Sequence, residues 1–371
     1  MIRVAIIGCG KIADQHVHAI RRIPGSMVVA ACDRELLMAR QLAERFRIEG
    51  CFDDVGQLLR QAAPDVVHIT TPPQSHYQIG RQCLEAGSHA YIEKPFTVNA
   101  GEAIALVELA LQRGLCVTAG HNYQFTAEMM AMRRLVEQGF LGGAPVHLES
   151  HWSYDLGDAS YVAPMLGNPD HWVRRLPGQL FQNIISHGVA RLAEFLSGDT
   201  VEVIVSTHQS ARLSSLGGQE VHDEMRAMLR DARGTTASFS FSTQIKPGLN
   251  QFRVNGPAGS ISVDLTSGSV VRHVGKSYKS YLTFLVPPLN SAREHLANAG
   301  RNALGILRWR LHQDSGMKEL IERFHRSIAE KGPPPIAYRE IVLTARIMDA
   351  MFAAQRRGKT RPVAAMADAG A

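Results

Sequence analysis

The chain opens with an apolar run, Val4-Ala5-Ile6-Ile7, that stops abruptly at Gly8-Cys9-Gly10-Lys11-Ile12-Ala13. The run reads as a buried strand, and the residues from Ile12 to Arg22 read as a helix. Glycines between a strand and a helix limit what the chain can build. Gly8 allows the tight turn, Gly10 lets the main chain approach a pyrophosphate, and Ala13 in the third position still permits close packing of helix on strand. Main-chain groups of Lys11 and Ile12 lie in the first turn, where the positive end of the helix dipole suits phosphate. Asp33, at the end of the next apolar strand, can accept hydrogen bonds from the adenosine ribose, which favours NAD. Arg34 beside it could instead engage a 2′-phosphate, which keeps NADP possible.

The alternation continues past the first turn. Strands at Met27–Cys32, Asp65–Ile69, His89–Glu93 and Cys116–Ala119 are separated by helices at Arg34–Arg47, Ser75–Ala86 and Gly101–Arg113. Strands that alternate with helices of about 10–15 residues predict a doubly wound parallel sheet, a Rossmann-type α/β domain over residues 1–122. The rhythm changes near residue 121. A helix at about 127–138, a strand at about 145–152, a loop-rich stretch to Pro177 and a helix near 184–196 lead into clustered strands. These are Glu202–His208, Met225–Arg230, Thr235–Thr243, Gln251–Val254 and Ser260–Asp264. They predict an α+β domain over 123–371 with a mostly antiparallel sheet, open on one face. An uncovered apolar sheet face would then be hidden in a homo-oligomer.

At 371 residues the chain is too long for one ordinary core, and 45% hydrophobic with 20% charged residues is a globular balance. No apolar run approaches the roughly 18 residues that cross a bilayer. The N-terminus reads as a strand and not as a signal peptide. Five cysteines without a CxxC pair read as reduced thiols. Together these point to the cytoplasm. The net charge of +6 is scattered, with no nucleic-acid-binding motif, so it reads as ordinary surface charge or as suited to a phosphorylated or carboxylated small substrate.

Two further motifs fall at strand ends. Thr70-Thr71-Pro72-Pro73-Gln74-Ser75-His76 follows the Asp65–Ile69 strand. Its prolines cannot continue a ladder, so Thr71 and Pro72 enter an irregular crossover at the carboxyl end of the sheet, where ligands bind. Ser75 reads as a helix N-cap, and His76 as either a helix-start residue or a cofactor contact. Glu93-Lys94-Pro95 likewise ends a strand. A lysine there can donate to a substrate hydroxyl and stabilise developing alkoxide charge. In the loop-rich stretch, Tyr154, Asp155, Tyr161, His171, Trp172 and Arg174 supply aromatic faces and polar groups that suit a sugar ring. His147, Glu149 and His151 share one strand face. They read as a satisfied polar face, so no metal is expected. Residues 292–312 form a basic amphipathic helix, with Leu296, Gly300, Ala303, Leu307 and Leu311 on one side, expected to serve packing or oligomer contacts.

Taken in order, GCGKIA at 8–13, TPPQSH at 71–76, AGSHAYIEKP at 86–95, AGHNYQF at 119–125, QGFLGG at 138–143 and QNIISHGVARLAEFL at 182–196 resemble the Gfo/Idh/MocA oxidoreductases. The resemblance implies a Rossmann domain followed by a domain on a large open antiparallel sheet. It also implies NAD(H) or NADP(H), a sugar, cyclitol or nucleotide-sugar substrate, and a homodimer or homotetramer. It carries the family's EKP lysine onto Lys94, with Glu93 before it at the cofactor side, and the catalytic histidine onto His187. The family's aspartate is replaced by Asn183, which can orient the ring or bind substrate but cannot stabilise an imidazolium. Gln124 stands where many relatives carry arginine. The expected catalytic set is therefore Lys94, His187 and Asn183, with Tyr123 and Trp172 beside them as substrate contacts. Two alternatives share these residues: an enzyme with tightly bound NAD that performs redox-assisted elimination or glycoside hydrolysis, and a non-catalytic dinucleotide-binding regulator.

Overall fold

The computed structural model describes residues 1–155, 168, 170–215, 221–308 and 316–357. Six strands, β1 (Ile2–Ile7), β2 (Ser26–Cys32), β3 (Gly50–Phe52), β4 (Val66–Ile69), β5 (His89–Ile92) and β6 (Val117–Ala119), form one sheet in the order β3-β2-β1-β4-β5-β6. Every pairing in it is parallel. The order reverses between β1 and β4, which opens a crevice at their carboxyl ends, the usual ligand position in such sheets. The edge strand β3 escapes sequence reading because three residues carry no periodicity. Two of the intervening helices begin where a side chain accepts a first-turn N–H group: Asp54 from Gln57 (2.7 Å) and Asn99 from Glu102 (2.9 Å). Ser75 does not cap. Its hydroxyl donates to the Pro72 carbonyl at 2.8 Å and lies 2.7 Å from the Thr71 hydroxyl, because a 3₁₀ turn at Pro73–Ser75 precedes the helix His76–Glu85.

The second sheet has seven strands: β7 (His147–Ser153), β8 (Val201–His208), β9 (Glu224–Asp231), β10 (Thr236–Ser242), β11 (Asn250–Asn255), β12 (Gly259–Asp264) and β13 (Ser269–Val274). Their order is β13-β12-β11-β7-β10-β9-β8. All pairings are antiparallel except the central β7–β10 pair, so the sheet is mixed. Along β7, Leu148, Ser150 and Trp152 point to the core and His147, Glu149 and His151 point away. The helix expected near 184–196 is two helices, Gln179–Ile184 and Ser186–Phe195.

The open face of this sheet corrects the expectation of an apolar one. Glu149, His151, Gln251, Arg253, Ser262 and Asp264 line it together. One face of each strand meets the core and takes most of the apolar residues, which leaves mainly polar ones outward. Ile204 and Met228, paired across β8 and β9, are exposed exceptions, and a longer run of exposed apolar side chains lies on the helix Val286–Leu307. Its polar side grips the sheet edge: Asn298 exchanges hydrogen bonds with the Val270 main chain, and Arg272 pairs with Glu294 at 2.6 Å. Its other side shows Leu289, Leu296 and Leu307 to solvent, the last two about three-quarters exposed (74% and 75%). Leu311 lies outside the described residues.

Two cores result. Val4, Ile6, Val66, Ile92 and Leu106 belong to the first, and Met317, Leu320, Ile321 and Phe324 of the helix Met317–Ala329 return to complete it. Leu148, Phe239, Phe252, Ile347 and Phe352 belong to the second. The helix Tyr338–Arg357 serves both, with Ile341 in the first core and Leu343 in the second. Among the described residues no helix is long and apolar enough to cross a membrane.

Candidate active site

β1 delivers the chain to Gly8, whose φ of +97° is left-handed and whose Cβ, if present, would stand 2.6 Å from the Thr71 amide. Only glycine lets the ends of β1 and β4 meet there. A Cβ at Gly10 would meet no protein atom within 4 Å, so the space over the start of the helix Lys11–Ile20 is open. Ala13 is fully buried, as its packing role requires. Asp33 is held at the end of β2 by N–H groups of Cys9 (2.8 Å) and Glu35 (3.0 Å), which occupy one lone pair on each oxygen and orient the carboxylate. Arg34 reaches into solvent, its guanidinium 3.9 Å from Glu35. A cleft of about 780 Å³ runs past Gly8, Gly10, Asp33, Arg34, Thr71 and Pro72. An open space at a helix N-terminus and an anchored carboxylate at the end of β2 fit the phosphates and the ribose of a dinucleotide.

Two residues expected on that cleft are turned inward. His76 is fully buried, its ring nitrogens 2.9 Å from the Pro95 carbonyl and 2.8 Å from that of Thr71. It ties the two strand-end loops together, and burial lowers its pKa. Glu93 is 7% exposed. One oxygen lies 3.0 Å from His16 Nε2 and the other accepts the Lys94 amide at 3.1 Å. Burial raises the Glu93 pKa, but the His16 hydrogen bond and the Lys94 charge outweigh that and leave it below the ordinary value. Trp172 is the converse case. It lines the dinucleotide-sized cleft with His171, and its carbonyl accepts a 2.8 Å hydrogen bond from Gln74. Tyr161 lies outside the described residues.

A second cavity, about 380 Å³, is lined by Lys94, Tyr123, Trp152, Asn183, His187 and Asn250, with Tyr154 at its side. Lys94, just past β5, donates from Nζ to the main-chain carbonyl of Asn183 at 3.0 Å. Burial lowers its pKa and Glu93 opposes the shift. His187 stands on the helix Ser186–Phe195, which lies hard on β10. A Cβ at Gly188 would come 2.7 Å from the Phe239 ring, and Ser150 donates to the Gly188 carbonyl at 3.0 Å. Tyr123 meets the His187 ring edge-on at 4.7 Å, and Trp152 stacks on it at 5.7 Å. Burial first, then Lys94, His121 and Arg191, hold its pKa well below 6.5. The ring is therefore neutral near pH 7, the form that can accept a proton.

Sequence reading missed several neighbours. Arg191, one helical turn after His187, is completely buried between the rings of Trp152 and Phe252 (5.2 and 5.6 Å). It donates to Asn250 Oδ1 at 2.9 Å, its Nε and Nη2 have no hydrogen-bond partner, and burial lowers its pKa to about 9. An arginine set among Val189, Ala190, Leu192 and Ala193 was the available signal. His121, with both ring nitrogens buried and unpartnered, lies 6.0 Å from His187, ring centre to centre, and burial lowers its pKa to about 4. Gln124 is not in this cavity. It donates to Glu194 at 3.0 Å, beside the Arg133–Glu194 ion pair. Asp155 pairs with Lys246 at 3.3 Å. Among the described residues no group of three or more His, Cys, Asp or Glu could hold a metal ion.

Residues 2–121 match the family model described as the oxidoreductase family, NAD-binding Rossmann fold, and residues 129–262 match the GFO/IDH/MocA C-terminal domain. D-glucoside 3-dehydrogenase of Escherichia coli (strain K12) is 34% identical over 143 residues, 38% of this chain and 40% of that protein. D-apiose dehydrogenase of Paraburkholderia graminis is 27% identical over 217 residues, 58% of this chain and 55% of that protein. The chain thus spans about half the length of these relatives. Among solved structures, the WlbA dehydrogenase from Bordetella pertussis, in complex with NADH and UDP-GlcNAcA, superposes with a TM-score of 0.76 at 19% identity and covers 96% of both chains.

Proposed function

This chain belongs to the Gfo/Idh/MocA oxidoreductases, with an NAD-binding Rossmann domain and the family's C-terminal domain, and from that membership we propose that it oxidises a secondary hydroxyl of a sugar, cyclitol or nucleotide-sugar, or reduces the matching ketone. Bound NAD supplies the hydride acceptor. Lys94 Nζ donates to the reacting oxygen and strengthens that bond as negative charge develops. His187, neutral in its buried setting, takes the hydroxyl proton through a ring nitrogen. Tyr123 and Trp152 offer aromatic faces to a sugar ring, and Asn183 and Asn250 offer polar groups.

One observation carries this reading: Lys94 from the parallel-sheet half and His187 from the other half face one cavity at the carboxyl end of β5. The test is NADH formation against a panel of sugars, cyclitols and nucleotide-sugars. Lys94→Ala and His187→Ala should each slow single-turnover hydride transfer by about 10²–10⁴-fold with NAD affinity retained. Full rates in both variants would remove the assignment and favour a dinucleotide-binding regulator.

The apolar side of the helix Val286–Leu307 supports a homo-oligomer in which a second copy covers it. The five free thiols support a reducing compartment, the cytoplasm.

A further inference from the structure

A file of buried histidines crosses the parallel-sheet half and serves no purpose in the reaction so far described. His16 Nε2 lies 3.0 Å from Glu93 Oε1, and His16 Nδ1 lies 2.8 Å from His68 Nδ1. His68 Nε2 lies 3.4 Å from His325 Nε2, and His325 Nδ1 lies 2.8 Å from Ser26 Oγ. The rings come from the helix Lys11–Ile20, from β4 and from the helix Met317–Ala329, and none is more than 2% exposed. Tyr91 stacks flat on His68 at 4.6 Å and keeps its hydroxyl out of the file. Among the described residues the titratable groups that touch the file are Glu93, on His16, and Tyr91, on His16 and His68, with Lys94 and His121 beside Glu93. One end is Glu93, below Lys94. The other is Ser26, half-buried at the opposite, amino-terminal edge of the sheet.

Donor and acceptor rules leave one arrangement with a single proton on each ring. The Glu93 carboxylate only accepts, so His16 carries its proton on Nε2. His16 Nδ1 then accepts from His68 Nδ1–H, His68 Nε2 accepts from His325 Nε2–H, and His325 Nδ1 accepts from the Ser26 hydroxyl. Every bond points the same way. We propose that His16, His68 and His325 form a proton relay joining Glu93, beside Lys94, to solvent at Ser26, and act as positioning residues for the charge under the site. Inward transfer breaks the Ser26 O–H bond as His325 Nδ1–H forms. His325 passes its Nε2 proton to His68, His68 its Nδ1 proton to His16, and His16 its Nε2 proton to Glu93, while water reprotonates Ser26. Outward transfer reverses each exchange and returns one proton to water, leaving no charge on the rings. Glu93 can thus gain or lose a proton without opening the substrate cavity. The functional part rests on reading Lys94 as the group at the substrate oxygen.

The test uses the full chain saturated with NAD⁺ and labelled with ¹⁵N-histidine. Long-range ¹H–¹⁵N correlation should find His16 and His325 protonated on Nε2 and His68 on Nδ1. Ser26→Val deletes the hydroxyl and Ser26→Thr keeps it in the same shape. The valine variant should slow solvent exchange of the His68 and His325 ring protons by about tenfold or more, and the threonine variant should not. His16 protonated on Nδ1, or equal exchange in the two variants, overturns the relay. With a substrate from the panel, His68→Phe should slow NADH formation by about tenfold, less than losing a direct acid–base group, and move the pH profile at unchanged NAD affinity. An unchanged rate and profile would also overturn it. If no panel compound reacts while the tautomers are as assigned, the oxidoreductase reading fails and the relay stands.

Discussion

At the scale of single residues, His187 is governed by what surrounds it. It has two positive neighbours, Lys94 and Arg191, and Asn183, which lines the same cavity, carries no charge. Two substitutions should therefore act alike for opposite reasons. Asn183→Asp adds a negative charge and Arg191→Met removes a positive one, and each should raise the His187 pKa. The readout is the acid limb of kcat/KM, or direct ring titration by NMR. Arg191→Met should also leave the protein as stable or more stable. Among the described residues no ion pair involves this guanidinium, and an apolar side chain of similar length avoids its desolvation. A large loss of stability would show that the cation–π contacts with Trp152 and Phe252 outweigh burial.

At the scale of elements, the helix Ser186–Phe195 fixes where His187 stands, and Gly188 fixes how close that helix comes to β10. Gly188→Ala would place a methyl group 2.7 Å from the present position of the Phe239 ring. Overpacking of this kind costs about 1–3 kcal/mol. The urea midpoint should fall accordingly, and hydride transfer should slow because the helix moves outward with His187, while NAD affinity stays unchanged. Lost stability without lost rate would mean that Phe239 yields and the helix does not.

At the scale of the whole molecule, buried neutral histidines make the fold sensitive to acid. Burial lowers His68 and His187 well below 6.5 and His121 and His325 to about 4. Below pH 6.5 the unfolded chain binds protons that these rings refuse, so stability falls as pH falls. Above 6.5 neither state holds the proton and the effect vanishes. Each ring removes up to about 1.4 kcal/mol per pH unit between 6.5 and its folded value. Glu340, raised by burial to about 7, works the other way, as do Glu102 and Asp349, which burial also raises, so these carboxyls offset part of the loss. The urea midpoint should drop steeply from pH 6.5 to 4, and a flat profile would contradict the burial of these rings. For assembly, Leu296→Glu with Leu307→Glu should convert a sedimenting oligomer to monomer with the fold intact. An oligomer that survives both charges must use another surface.

Much was legible before any fold was drawn. The glycine turn, Asp33, and the strand-end positions of Lys94 and the Thr71-Pro72 loop follow from local chemistry, because strand and helix periods and turn residues act over a few positions. The parallel and mostly antiparallel halves followed from the same periods. What local pattern could not show depends on residues far apart in the chain. His76 and Glu93 turn inward because their partners, Pro95 and Thr71 for one and His16 for the other, arrive from other elements. Trp172 joins the larger cleft through Gln74, far earlier in the sequence. Among the described residues Arg191 has no ion pair, its one hydrogen bond going to Asn250 on β11, and the helix Met317–Ala329 brings His325 to His68. Burial and charge at a point are sums over every element that meets there, so only the tertiary structure decided them.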